Sequence, residues 1–453
     1  MLSDKARPIV AATLPVVADH IQEIAQTFYQ HMFAEHPELL DGTFNRGNQV
    51  DGSQQQALAG SVAVFATALV NTPGQLPERL LTRIAHKHAS LGIRPDQYHI
   101  VHDNLMWAIV EVLGDAVTAE VAAAWDEVYW LMAYALTSEE RGLYSARGVT
   151  PETVWRPWRV EQKIVETDDV VTFVMKRIDS RLVKTSLPGQ YVTVLMPMPD
   201  GVRQPRQYSL TRADDGEHRQ FSVKWVHGGG KPDGEVSSLL YRTIDVGDEL
   251  TMSLPYGDVV LNDSGQPVVF ASAGIGVTPM AGMLSHLVNA GSHLRIMLLH
   301  ADLNEQSFAL RRQIADDIAV LPKASLHLWY EEGAAGELKK GDVVTCEVTD
   351  VKEGGLDVKI VGTDLETFIR RGDLARDRGD QRTERFQVGQ KVDARVTQFD
   401  RRTHKVQVSI KALEVAEEKE AIAQYGSSDS GATLGDILGT ALKRAGEKPE
   451  KKD

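Results

Sequence analysis

Of 453 residues only Cys346 is a cysteine. A single thiol excludes an intramolecular disulfide framework and any multi-thiolate metal site, and it suits a reducing compartment. A long apolar run is missing too. The most apolar stretch, Val268 to Val288, is broken by Ser, Thr, Gly, Pro and His, so it reads as buried strand, turn and helix rather than a membrane span. Met1 to Gln22 has no basic stretch followed by an apolar core and a small-residue cleavage site. No secretory leader is therefore expected, and the expected location is the cytoplasm, with no membrane partner. Compositional bias is absent as well. Hydrophobic residues at 42% and charged residues at 25% are ordinary globular proportions, and at roughly 100–200 residues per domain the length allows two to four domains.

The net charge of −14 is unevenly spread. Residues 336–412 hold 16 Lys and Arg against 14 Asp and Glu, so the negative balance lies outside them. A segment electrostatically unlike its surroundings is a candidate separate module, and a nucleic-acid partner is worth testing there.

Periodicity divides the chain. Residues 1–147 read as helices: Ile21, Ile24, Ala25, Phe28 and Met32 recur at helical spacing, as do Leu81, Ile84, Ala85 and His88. Alternating strands occupy 151–262, for example Gln190 to Val194, and read as an antiparallel barrel. From 263 to 333 strand and helix alternate. A strand at Val268–Ala273 leads into Gly274-Ile275-Gly276-Val277-Thr278-Pro279 and a helix to about Ala290. A strand at Leu294–His300, a helix near Gln306–Val320 and a strand at Ser325–Tyr330 follow. That is the start of a parallel nucleotide-binding sheet. Residues 336–412 are short strands with turns, ending at Lys405–Lys411, and suggest a small barrel. The tail, 413–453, is helical at first and then rich in Gly, Ser, Lys and Glu.

His88 continues the apolar face of Leu81 and Ile84, whereas His86 does not. Axial iron ligation needs a neutral imidazole on such a face, although a lone histidine there is more often a satisfied core residue. The surroundings change that weighting. Phe28-Tyr29 sits on an early helix, Gln54 and Leu58 share a face at i,i+4 spacing, and Lys87-His88, Tyr98 and Glu140 follow in order.

In order and spacing these residues resemble the globin domain of flavohaemoglobins. The resemblance implies an all-α haem b module with His88 as iron ligand and Tyr98 and Glu140 as its hydrogen-bonded support. It implies that Tyr29 donates to dioxygen, that Gln54 and Leu58 wall the distal side, and that Lys87 lies toward the haem edge facing the flavin. Arg206-Gln207-Tyr208-Ser209, preceded by Pro188-Gly189-Gln190-Tyr191 and followed by Gly234-Glu235-Val236-Ser237-Ser238, resembles a ferredoxin-reductase-type flavin barrel. That implies an FAD site using Tyr191, Arg206, Gln207, Tyr208, Ser209, Val236 and Ser237. Gly274 to Pro279 resembles the family's NAD(P)H loop, whose glycines let a backbone approach a pyrophosphate at a helix N-terminus. The implied activity is oxidation of nitric oxide by dioxygen to nitrate at the cost of NAD(P)H.

The family pattern then stops. Its sheet continues past position 330, with a Cys-Gly-Pro turn and a terminal Phe-Gly-Pro segment. Here the one cysteine is followed by Glu347-Val348, and Phe-Gly-Pro does not occur. A truncated α/β domain with impaired reductase activity is expected, with an open edge at Ser325–Tyr330 and uncovered apolar faces. Gly341-Asp342-Val343-Val344, Gly354 to Val358, Phe368-Ile369, Phe386 to Val392 and Lys405 to Lys411 instead resemble the RNA-binding OB-fold repeat of the largest small-subunit ribosomal protein (S-one type). Single-stranded RNA or the ribosome is the implied partner. Phe368, Phe386, Phe399 and His404 are the candidate stacking residues, with charge from Arg370, Arg371, Arg376, Arg378, Arg382 and Arg385. Two other readings stay open: an RNA-binding ribosomal-type protein fused to a haem and flavin module, and a rearranged chimera whose parts share no function, since the switch falls at Tyr330–Gly336 inside what should be one domain.

Overall fold

The computed structural model describes residues 1–47, 52–181, 184–230, 232–262, 264–331, 339–361, 363, 365–400 and 405–425. The chain divides into two compact units, Met1–Trp329 and Tyr330–Asp453.

The first unit opens with helices α1 (Ala6–Glu35), α2 (Ser53–Asn71), α3 (Glu78–Leu91), α4 (Gln97–Leu113) and α5 (Ala119–Arg147). Their apolar stripes close one core. Val10, Val17, Ile24, Phe28 and Met32 of α1 meet Phe65 and Leu69 of α2, Leu105 and Ile109 of α4, and Trp125 and Val128 of α5. Thr118 caps α5 by accepting from the Val121 N–H. Gly92 ends α3 at φ +70°, and a Cβ there would meet the Pro151 carbonyl oxygen at 2.5 Å. Only glycine allows both the left-handed turn and the close approach.

Six antiparallel strands follow: β1 (Trp155–Val165), β2 (Val170–Arg177), β3 (Tyr191–Pro197), β4 (Arg203–Ser209), β5 (His218–Lys224) and β6 (Glu249–Ser253). Their order is β4-β3-β6-β1-β2-β5, and a bridge between Leu210 and Phe221 closes the barrel. Val192, Val194, Phe173, Phe221 and Met252 fill it, with Val236 and Leu240 from helix α6 (Glu235–Thr243) plugging one end.

Among the described residues the α/β segment has three strands, β7 (Val268–Ala273), β8 (Ile296–Asp302) and β9 (Ala324–Tyr330), with helices α7 (Thr278–Asn289) and α8 (Arg311–Val320) between them. β7 and β8 run parallel. Both helices pack on one face, where Leu284, Leu287 and Ile314 meet Phe270, Ile296 and Leu298. On the other face Val269 pairs with Met297 and is 63% exposed. The last helix is shorter than expected, because Asn304 and Ser307 side chains close a turn over the residues before it.

In the second unit β10 (Val343–Lys352), β11 (Gly355–Ile360), β12 (Glu366–Arg370), β13 (Lys391–Asp400) and β14 (Lys405–Ser409) take the order β12-β11-β10-β13-β14. The Thr367 hydroxyl donates to the Val406 carbonyl at 2.6 Å and joins the two outer strands into a barrel. Cys346, Val358, Ile369, Val396 and Val408 form its core. Two boundaries differ from expectation. Phe386 to Gln390 is a turn rather than strand, since Gln387 N–H donates to the Gln390 side chain. Ile410 and Lys411 start helix α9 (Ile410–Tyr425), whose first turn is held by Ser409 Oγ accepting from Ala412 N–H.

Candidate active site

Helix α3 presents two functional faces. Ile84, Lys87, His88 and Leu91 fall on one at helical spacing and border a cavity of about 300 Å³. Within it the imidazole of His88 is held from behind. Nδ1 lies 2.8 Å from Glu140 Oε1 and 3.0 Å from the Tyr98 hydroxyl, and that hydroxyl donates to the same Glu140 oxygen at 2.5 Å. Tyr98 has one proton and gives it to Glu140, so Nδ1–H is the donor of the imidazole pair. The Nε2 lone pair is then left facing the cavity, with no protein partner among the described residues. Burial first, and then Glu140, push the Tyr98 hydroxyl far above its usual pKa, so it stays a donor. An imidazole braced at Nδ1 by a carboxyl group, with its second nitrogen facing a largely apolar pocket, is suited to holding a metal ion.

Across the cavity stand Tyr29, Gln54 and Leu58. Burial pushes the Tyr29 hydroxyl up to about 12 against the weaker opposing effect of the Gln54 side chain. Gln54 Oε1 is buried without a hydrogen-bond partner. Burial also lowers the pKa of Lys87. One end of the cavity is closed by Pro205, Arg206 and Gln207 of β4. The helical domain and the barrel therefore share this site, which helical spacing alone does not foretell.

Strand β4 continues into a second opening, about 550 Å³, lined by Gln207, Tyr208, Ser209, Trp225, His227, Ile275 and Thr278. Five residues expected from the sequence thus come together here. Trp225 and His227 were not anticipated. Their only sequence signal is an aromatic pair at the end of a strand. Tyr208 stacks on Phe221 with centroids 5.3 Å apart. Tyr191 does not border the opening but pairs with Ser209 across β3 and β4. Two expectations need correction at the side-chain level. Val236 lies in the barrel core, and Ser237 Oγ is spent on the Gly234 carbonyl and the Val226 N–H. The backbone at that helix N-terminus and the unpartnered Ser238 hydroxyl remain to meet a ligand. Val277 is likewise in a core, Gly274 has φ +50°, Gly276 precedes the helix, and Pro279 occupies its first turn.

In the second unit Phe368 is 41% exposed on β12. Phe386 and Phe399 are partly buried and pack against the barrel core. His404 lies outside the described residues. Arg370 is exposed, and the Arg371 guanidinium donates to the Gln381 carbonyl. Arg376 pairs with Glu418 and Arg385 with Asp380, while Arg382 donates to the Gly379 carbonyl. Much of the expected basic surface is therefore internally engaged. No described helix is long and apolar enough to cross a membrane.

Comparison with known proteins places this geometry beside others. A globin family model matches residues 26–136, and an S1 RNA binding domain model matches residues 337–411. A flavohemoprotein of Chromobacterium violaceum is 40% identical over 364 residues, covering 76% of this chain and 88% of that protein. One from Rhizobium meliloti is 38% identical over 361 residues, covering 78% and 88%. The crystal structure of flavohemoglobin from Malassezia yamatoensis with bound FAD and heme superposes with a TM-score of 0.68 at 35% identity, over 73% of this chain and 85% of that one.

Proposed function

The chain belongs to the flavohemoprotein family, and on that premise we propose that it is a haem- and FAD-dependent oxidoreductase that uses NAD(P)H to oxidise nitric oxide with dioxygen to nitrate. The observation that carries this reading is the His88–Tyr98–Glu140 group with Nε2 free in the cavity, opposite the orphaned Gln54 oxygen and the Tyr29 hydroxyl. A largely apolar pocket with the His88 imidazole on one side and the Tyr29 hydroxyl on the other fits haem and a small ligand. Haem when bound supplies the iron at which the gases meet, and FAD supplies the electrons.

The chain's own residues do the rest. Glu140 and Tyr98 fix the tautomer and orientation of His88 and raise its basicity. Tyr29 remains protonated at working pH and offers its hydrogen to an oxygen atom in the pocket. Leu58 and Phe28 exclude water. Arg206 and Gln207 on β4 link this pocket to the opening where Tyr208 and Ser209 would take the flavin ring and pyrophosphate.

Three strands carry the 274–279 loop, and the face bearing Val269 and Met297 has no covering layer among the described residues. We infer slow flavin reduction by NADH. Rapid anaerobic reduction of the haem by NADH, as fast as dithionite, would refute that inference. Purified protein should show both haem and flavin absorbance and consume nitric oxide only when dioxygen and a reductant are present.

For the second unit we propose weak binding of single-stranded RNA on the face bearing Phe368 and Arg370. The closed five-stranded barrel with an exposed aromatic and a positive balance supports it. A gel shift at low salt with a pyrimidine oligonucleotide tests it, and absence of any shift excludes it.

A further inference from the structure

The second face of α3 touches the barrel through residues that the function above does not use. Ser90 is fully buried there. Its hydroxyl donates to the Lys87 carbonyl at 2.8 Å and accepts from Thr193 Oγ1 at 2.9 Å. Thr193 is also fully buried and lies two residues beyond Tyr191, so both point to the same side of β3. The Tyr191 hydroxyl stands beside the same Ser90 side chain. Thr193 is anchored in turn, since its N–H donates to Ser253 Oγ at 2.9 Å, whose own proton goes to the Leu254 carbonyl at 2.7 Å. A hydrogen-bonded path through Thr193 and Ser90 therefore runs from the barrel wall to the carbonyl of the residue next to His88.

This contact differs from the exposed ion pairs across the seam. Arg83–Asp258 and Arg203–Asp41 are exposed pairs that water and salt can replace. The Ser90–Thr193 bond is sealed from water, so a slip of one residue would strand a buried hydroxyl without a partner. It is specific to register in a way the surface pairs are not.

We propose that Ser90 and Thr193 are positioning residues that pin the helix carrying His88 to the strand carrying Tyr191, and so set the rate at which electrons pass from flavin to haem. The proposal rests on the haem and flavin reading above. The test is Thr193→Val in the full chain, with Thr193→Ser as the conservative control. The flavin is reduced by light with EDTA as the electron source, which bypasses the nicotinamide site, and the shift of the Soret band to its ferrous form is timed. Loss of one buried hydrogen bond should slow that shift roughly fivefold to tenfold, and Thr193→Ser should restore it. The ferric Soret band should stay unchanged, and amide exchange should rise at residues 86–92 and 190–195. Ser90→Ala provides a second variant with the same expectation should Thr193→Val not fold. A wild-type rate with unaltered exchange in these variants overturns the proposal. A protein with no Soret or flavin absorbance counts against the functional reading instead, and the exchange comparison then still decides the pin.

Discussion

Replacing Glu140 with glutamine should weaken haem binding more than any comparable change on the cavity wall. Glu140 is only 2% exposed, and its Oε1 accepts from both His88 Nδ1 and Tyr98. Glutamine keeps the shape but offers a neutral acceptor and adds an amide donor with no room for a new partner. The imidazole then loses the carboxyl group that draws on its N–H, so Nε2 becomes a poorer ligand. Loss of such a supporting partner costs about 10–100-fold in metal affinity, or ~1.4–2.8 kcal/mol. Titrating haem into the apoprotein measures the affinity, and the iron–histidine stretching band in resonance Raman reports the bond directly and should move to lower frequency. Tyr98→Phe should give a smaller effect of the same sign, since His88 keeps Glu140. If Glu140→Gln binds haem within twofold of wild type with an unmoved band, the account of His88 is wrong.

Four further outcomes follow from the same structure. Tyr29→Phe should speed dioxygen release about fivefold, the worth of one hydrogen bond of ~1 kcal/mol; because burial holds the hydroxyl up at about 12, the wild-type release rate should be flat from pH 6 to about pH 10 by flash photolysis or stopped flow. Gly189→Ala should destabilise the barrel by about 1–3 kcal/mol or more, since Gly189 has φ +103° and a Cβ would lie 2.4 Å from the Val259 carbonyl oxygen; a melting temperature within a degree of wild type contradicts it. Asp317 has its carboxyl pushed up to about 6, by burial first and against the pull of Arg212. A folded-state value above the unfolded one means the folded form binds the extra proton, so stability falls as pH rises from about 4 to about 6. Asp317→Asn should remove that slope, worth ~1 kcal/mol after allowing for water at a half-exposed carboxyl, and urea midpoints at pH 5 and pH 8 measure it. Arg370→Ala should weaken RNA binding across all sequences and lower the salt slope by about 1; an unchanged slope removes Arg370 from the RNA face.

Much of the site was legible because helical spacing is a strong signal. Gln54 and Leu58 at i,i+4, and Ile84, Lys87 and His88 on one stripe, reach the cavity as their spacing implies. Tyr98 and Glu140 meet His88 from 10 and 52 residues along the chain, which no local pattern encodes; they came from the family resemblance. The contacts between helical domain and barrel were not legible at all. Thr193 to Ser90 and Gly257 to His86 join residues 103 and 171 positions apart, and serine, threonine and glycine carry no signal of partner choice. In the small barrel an alternating pattern does not say which aromatic a tight core recruits, and Phe386 and Phe399 pack against it while Phe368 stays exposed. Ser237 and Val236 show the complementary case, where the motif marks a helix start and the side chains serve the fold.

The central claim is that His88 holds haem in a cavity that the flavin barrel helps to close. The visible spectrum of the purified full chain, compared with that of His88→Ala prepared in the same way, tests it most directly. Wild type should show a Soret band beside flavin absorbance and shift to the ferrous form with dithionite, while His88→Ala should retain the flavin bands and lose or strongly displace the Soret band. Identical Soret bands in the two proteins, or none in the wild type supplied with haem, would contradict the account.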